Sequence, residues 1–216
     1  MNVVVIGAGG HGREVAEIVH QQTRRDEDTR LLGFIDEDGT VHGQARDHLP
    51  ILGGWSWFDG VDRNDVRVIC AVGSPPDCRR LVQKARDLGL AFVSAVSPLA
   101  HVSSLARLGH GVTIFPHVVV NTGVQIGNYS ILNLAVTVSH DSKVGAYCNL
   151  NPGVHVAGNV SIGEGCYIGM GSTIIQNRSI GPWTIVGAGA AVVRDLDANV
   201  TAVGVPAKIM KRGSVV

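Results

Sequence analysis

The sequence predicts two fold classes in one chain: an α/β domain of the half-Rossmann type over residues 1–95, then a parallel β-helix over residues 96–216. Three observations carry that reading. An aliphatic residue recurs every six positions from 96 to 192, and a glycine-rich turn, Gly7-Ala8-Gly9-Gly10-His11-Gly12, directly follows the apolar run at residues 3–6. The 216 residues are 45% hydrophobic and 17% charged, a globular balance with enough apolar material for a buried core.

The repeat is the more specific of the two patterns. Stepping by six from Val96 gives Val102, Leu108, Ile114, Val120, Ile126, Leu132, Val138, Val144, Leu150, Val156, Ile162, Ile168, Ile174, Ile180, Val186 and Val192. If Val, Ile and Leu fill roughly a third of a generic sequence, such a run arises by chance on the order of once in 10⁸. A period of six fits neither the 3.6 of a helix nor strands joined by hairpins. It fits short strands joined by tight corners, each rung turning its aliphatic inward. Three such sides make a coil of about eighteen residues, so the stretch builds roughly five coils. An antiparallel β-sandwich does not hold strict register over this length. The position after each aliphatic is often small or turn-forming, as at Gly109, Gly127, Gly145, Gly163, Gly169, Gly181 and Gly187, or at Asn121, Asn133 and Asn151. Such residues tolerate left-handed backbone and close approach.

The front of the chain reads as a βαβ-type half-domain. Residues 3–6 form a buried strand, the glycine turn suits a phosphate at a helix start, and residues 13–19 form that helix. A second strand, 31–35, ends at Asp36, followed by Glu37 and Asp38; a third, 66–72, ends at Gly73-Ser74-Pro75. A G-x-G-x-x-G turn with a later acidic residue suggests an NAD-dependent oxidoreductase. About 95 residues, however, supply one mononucleotide-binding half rather than the two that span NAD, so a nucleoside diphosphate fits better.

A formal net charge of zero and a pI near 7.1 give no basic field for nucleic acid or an anionic membrane. The apolar run at 3–6 is too short for a signal core or a membrane span, so a cytoplasmic location is expected. Cys70, Cys78, Cys148 and Cys166 form no C-x-x-C pair, which argues against a disulfide framework and a structural zinc site; no metal is expected. They read as small core or surface residues.

The repeats, with the ending Val203-Gly204-Val205-Pro206-Ala207-Lys208, closely resemble the hexapeptide-repeat acyltransferases. That resemblance implies a left-handed coil, a homotrimer, and acetyl-CoA bound in grooves between subunits. Together with the glycine-turn domain, nearly the whole chain resembles the bacterial sialic acid O-acetyltransferase family. This family includes N-acetyltransferases that modify nucleotide-linked 4-amino-4,6-dideoxy sugars in O-antigen or glycan biosynthesis. The implied substrate is GDP-perosamine or a UDP-linked 4-amino sugar. O-acetylation of a sialic acid, the NAD-dependent oxidoreductase and a non-catalytic nucleotide-sugar binding module remain alternatives.

Acetyl transfer from a thioester to an amine needs a neutral amine, a proton acceptor and a site for the tetrahedral oxyanion. Nine histidines are available, and on spacing alone His110, His117, His140 and His155 compete as the base. The resemblance selects His140, with Asp141 as the carboxylate that orients its imidazole. It also points to Asn133, facing the acceptor, as a contact for the sugar or a residue that positions a water. Gly9, Gly10, His11, Asp36 and Ser74 are expected to contact the nucleotide sugar. Relatives often carry a second histidine nine residues after the first; here Asn149 stands there, with an amide able to hold a thioester carbonyl. Gly158, Met170, Gly187 and Ala188 lie on rungs where the family runs pantetheine, and Lys208, with Lys211 and Arg212, carries charge suited to the phosphates of CoA.

Overall fold

The computed structural model describes residues 1–23 and 29–213. The chain divides into two compact units: Met1–Gly73 with Asp77–Pro98, and Ser74–Pro76 with residues from Leu99 onward.

The first unit runs β1 (Asn2–Ile6), α1 (Gly10–Thr23), β2 (Arg30–Ile35), β3 (Ala45–Arg46), β4 (Leu49–Gly53), β5 (Val66–Cys70), α2 (Pro75–Asp87) and β6 (Ala91–Phe92). β1 lies inside the sheet, parallel to β2 on one side and β5 on the other, with β4 beyond β2 and β6 beyond β5. Val3 to Ile6 are all at most 2% exposed, as a parallel strand covered on both faces requires. β3 and β4 form a small antiparallel hairpin at the sheet edge. The strands read from sequence as the second and third are β2 and β5, and α1 begins three residues earlier than expected. The pattern did not disclose α2, whose first two residues are prolines, a helix-start arrangement that an apolar periodicity does not register. Gly12 is the tightest point: a side chain there would run into the Gly7 carbonyl, so the missing Cβ lets α1 pack onto the turn.

The second unit is a coil of two-residue parallel strands on three walls. One wall stacks strands beginning at 113, 131, 149, 167 and 185, a second those at 101, 119, 137, 155, 173 and 191, and the third those at 107, 125, 143, 161 and 179. From Ile114 to Val192, every residue of the six-step ladder is at most 3% exposed, so the period does mark the inward column. The first wall ends in an antiparallel hairpin, Val200–Val203 with Lys208–Arg212. Beside the ladder runs a second buried column of small residues that includes Ser130, Ser142, Cys148 and Cys166. The Ser130 hydroxyl donates to the Gly145 carbonyl at 2.7 Å and accepts from the Cys148 N–H at 3.0 Å, so its polarity costs the core little. All four cysteines are buried.

The corners revise one expectation. From Leu108 to Val186 the left-handed residue of each step is the third after the aliphatic, as at Asp141 (φ 60°) and Tyr147 (φ 57°), not the residue directly after it. The glycines directly after the aliphatics serve close approach alone: a Cβ at Gly145 would stand 2.6 Å from the backbone nitrogen of Glu164 in the next coil.

Candidate functional site

In the first unit, the glycine turn is fixed from below by Asp36. Its Oδ2 accepts from the Ala8 N–H at 2.8 Å and its Oδ1 from the Asp38 N–H at 2.9 Å, so this carboxylate shapes the turn as well as lining the cavity beside it. Gly9 and Gly10 are exposed, with nothing within 4 Å of where a Cβ would stand, and they open the N-terminus of α1. That is the open backbone and positive dipole end at which a phosphate binds. His11, one residue on, is half-buried; burial pushes its imidazole below the ordinary value, opposed by Glu14, whose carboxylate lies 3.6 Å away. Ser74 immediately precedes α2 and is half-buried.

A cavity of about 190 Å³ lies at the carboxyl ends of β1 and β2, lined by Gly7, Asp36, Glu37, Trp55, Val72 and Arg80 among others. This is where strand order reverses in an open α/β sheet, the usual seat of a nucleotide. Glu37 gathers three donors there: Trp55 Nε1 at 2.8 Å, Arg80 at 2.8 Å and Lys84 at 3.0 Å. Partial burial works against its ionisation, but the hydrogen bonds from Lys84, Trp55 and Arg80 and the Arg80 charge outweigh it, bringing the carboxyl down to about 2. Lys84 Nζ also stands 4.9 Å from the centroid of the Trp55 ring. Sequence reasoning missed Trp55, Arg80 and Lys84, which lie 18, 43 and 47 residues from Glu37. No local spacing announces them.

In the second unit, the second wall turns a corner at His140 and Asp141. Both side chains are exposed, and His140 Nδ1 lies 3.0 Å from Asp141 Oδ2. An ionised carboxylate only accepts, so Nδ1 carries the hydrogen and Nε2 is left as the basic nitrogen. Gly158 occupies the same corner one coil later, and a Cβ on it would stand 2.6 Å from His140 Cε1 and Nε2. Its missing side chain therefore makes room for the imidazole, a reason different from the expected passage of pantetheine. Gly158 is a buried residue, and among the described residues its N–H donates to no group.

The other expected residues lie elsewhere on the coil. Asn133, Met170, Gly187 and Ala188 sit at the corner that follows the first wall, so one chain does not gather them around His140. Asn133 spends its Oδ1 on the N–H of Leu134 at 2.7 Å. Met170 is 58% exposed, and Ala188 is exposed beside it on the next coil. Gly187 and Asn149 are each packed within the coil. The space at Gly187 is filled by Val203 of the terminal hairpin, 2.7 Å from where a Cβ would stand, so packing accounts for that glycine. Asn149 is 5% exposed between Ile131 and Tyr167 in the first wall, a different wall from the one that ends at His140. Lys208 and Lys211 are exposed; Arg212 is engaged by Asp197 at 2.7 Å. His155, a rival base, is hydrogen-bonded through Nδ1 to the Thr137 hydroxyl at 2.9 Å rather than to a carboxylate. Among the described residues, no three His, Cys, Asp or Glu side chains gather as a metal site, and no helix is long and apolar enough to cross a membrane.

Residues 2–85 match the family described as the PglD N-terminal domain, and residues 141–176 match the bacterial transferase hexapeptide of six repeats. The chain is 32% identical over 125 residues to UDP-N-acetylbacillosamine N-acetyltransferase of Bacillus subtilis (strain 168), a match covering 52% of this chain and half of that relative's length. It is similar over 98% of its length to a crystal structure of perosamine N-acetyltransferase from Caulobacter crescentus, with 36% identity, 97% of that chain covered and a TM-score of 0.88. That structure is of a variant with one histidine replaced by asparagine, in complex with CoA and GDP-perosamine. The acetyltransferase domain of PglB from Neisseria gonorrhoeae FA1090, in complex with acetyl coenzyme A, matches at 31% identity over 97% of this chain and 98% of that one, with a TM-score of 0.88.

Proposed function

Since the chain belongs to the hexapeptide-repeat acetyltransferases that act with acetyl-CoA on nucleotide-linked amino sugars, we propose that it N-acetylates a nucleotide-linked 4-amino-4,6-dideoxy sugar, with His140 as the general base. The observation that carries this reading is the 3.0 Å contact of His140 Nδ1 with Asp141, which leaves Nε2 free to take a proton at an exposed corner. Acetyl-CoA supplies the activated acyl group. His140 Nε2 accepts a proton from the amine as its nitrogen attacks the thioester carbonyl, and Asp141 stabilises the resulting imidazolium. The Gly158 N–H is the donor available to the oxyanion. Collapse forms the amide and releases the thiolate of CoA, which takes the proton from His140; no covalent enzyme intermediate is needed.

The nucleotide end is assigned to the first unit. Gly9, Gly10 and the start of α1 would hold the diphosphate, with His11 and Ser74 toward the sugar and the cavity beside Asp36 taking the nucleoside. GDP-perosamine is favoured by the structural likeness to an enzyme crystallised with it; a UDP-linked sugar is the second reading, favoured by the Bacillus relative. N-transfer is preferred to O-transfer because the relatives above are N-acetyltransferases. The exposed Met170, Ala188 and Lys208 would receive CoA.

Because His140 and these residues stand at different corners of one chain, a shared site between neighbouring chains of a homotrimer is the arrangement that joins them. Light scattering should give three chains per particle; a fully active monomer would rule the shared site out. The test of substrate is mass spectrometry after incubation with acetyl-CoA and each of GDP-perosamine, a UDP-linked 4-amino sugar and a free sialic acid. Gain of one acetyl group on a nucleotide amino sugar is expected, and acetylation of the sialic acid alone would overturn the proposal.

A further inference from the structure

We propose that Gly123 is a positioning residue for the His140–Asp141 pair: the side chain it lacks is the space that the Asp141 carboxylate occupies. The backbone N–H of Asp141 donates to the Thr122 carbonyl at 3.1 Å, which seats Asp141 on the 122–123 corner of the preceding coil. A Cβ built on Gly123 would stand 2.6 Å from Asp141 Oδ1. The other oxygen, Oδ2, is the one bonded to His140 Nδ1. One carboxylate therefore faces the imidazole with one oxygen and Gly123 with the other.

Backbone conformation does not by itself explain the glycine. Gly123 has φ +71°, but the residues at the equivalent corner of the following coils, Asp141, Asn159 and Asn177, adopt φ of +60°, +57° and +59° with full side chains. Asparagine enters the left-handed region readily, so this corner accepts it. What distinguishes position 123 is the carboxylate above it. A methyl group there must displace Oδ1, and because the carboxylate is rigid and planar, that displacement turns Oδ2 away from Nδ1. Gly158 gives the imidazole the same freedom from the opposite side. The pair is thus held between two glycines, and the corners that carry them, Asn121-Thr122-Gly123 and Ala157-Gly158-Asn159, contribute no titratable group. Lys143, two residues beyond Asp141, is the next charged side chain along the chain.

This inference rests on His140 being the base, and the experiment separates the two. Turnover and KM are measured across pH for Gly123→Ala, Gly123→Asn, Asp141→Ala and the Gly123→Ala/Asp141→Ala double variant, with melting followed for each. Gly123→Ala should lower kcat by about 10- to 100-fold, the scale of a misplaced catalytic group. Both KM values should stay near the parent's, and the pH profile should move in the same direction as that of Asp141→Ala. Gly123→Asn should do the same while melting like the parent. In the Asp141→Ala background the substitution at 123 should change kcat less than about twofold, because the atom it displaces is gone. An equal loss in both backgrounds, or a parental pH profile in Gly123→Ala and Gly123→Asn, overturns the role of Gly123. If Asp141→Ala itself behaves like the parent, it is the catalytic reading of the pair that fails.

Discussion

The coil and the α/β unit solve the same problem, placing a few polar side chains on a rigid support, by opposite means. In the coil, position follows from arithmetic. Residues eighteen apart stack, so His140 meets Gly158 and Asp141 meets Gly123 because 158 − 140 and 141 − 123 both equal one coil. In the α/β unit, Glu37 collects Trp55, Arg80 and Lys84 from a 3₁₀ turn and from α2, at separations that share no period. A periodic scaffold fixes geometry through local sequence, whereas an open sheet fixes it through topology. The two should therefore fail differently when perturbed.

The largest effect is expected in the coil core. Ile162 is 2% exposed in the inward ladder, and Ile162→Asp would bury a carboxylate among stacked aliphatics, costing more than about 3 kcal/mol. Thermal melting should show loss of the coil, because each rung is held by packing and strand pairing with its neighbours alone. Melting at the parent temperature would mean that the column does not point inward.

A much smaller effect is expected in the α/β unit. The Glu37 carboxyl sits at about 2 against an ordinary 4.5. A depressed carboxyl contributes its stability above the unfolded value and loses it as pH falls through the folded one. The contribution is therefore complete above about pH 5 and disappears toward pH 2. Because the cluster is open to solvent, it is worth less than about 1 kcal/mol at neutral pH. The melting temperature of the parent should fall more between pH 5 and pH 3 than that of Glu37→Gln. Parallel curves for the two proteins would show that Glu37 adds nothing to the folded state.

The same contrast governs what could be read from the sequence. The ladder and the five coils were legible because a period needs no partner outside its own stretch. The left-handed corner is less legible, because glycines directly after the aliphatics compete for that reading, while the residues that bend the chain are a mixture of Gly with Asn, Asp, Tyr and others. His140 and Asp141 were found through a resemblance, adjacent in sequence and adjacent in space. Gly123 was not, although stepping back one coil from Asp141 would have reached it. For Trp55, Arg80 and Lys84 no such step existed: they meet only because β2, a turn and α2 converge.

The central claim is that His140 takes the proton of a sugar amine at this corner of the coil. Single-turnover acetyl transfer to the nucleotide amino sugar, measured from pH 6 to pH 9 for the parent and His140→Ala, tests it most directly. A rate lower by about 10² to 10⁴ with little change in binding of either substrate is expected, partly recovered at high pH where the amine deprotonates unaided. A rate within a few-fold of the parent across that range would contradict the account and pass the role to another histidine.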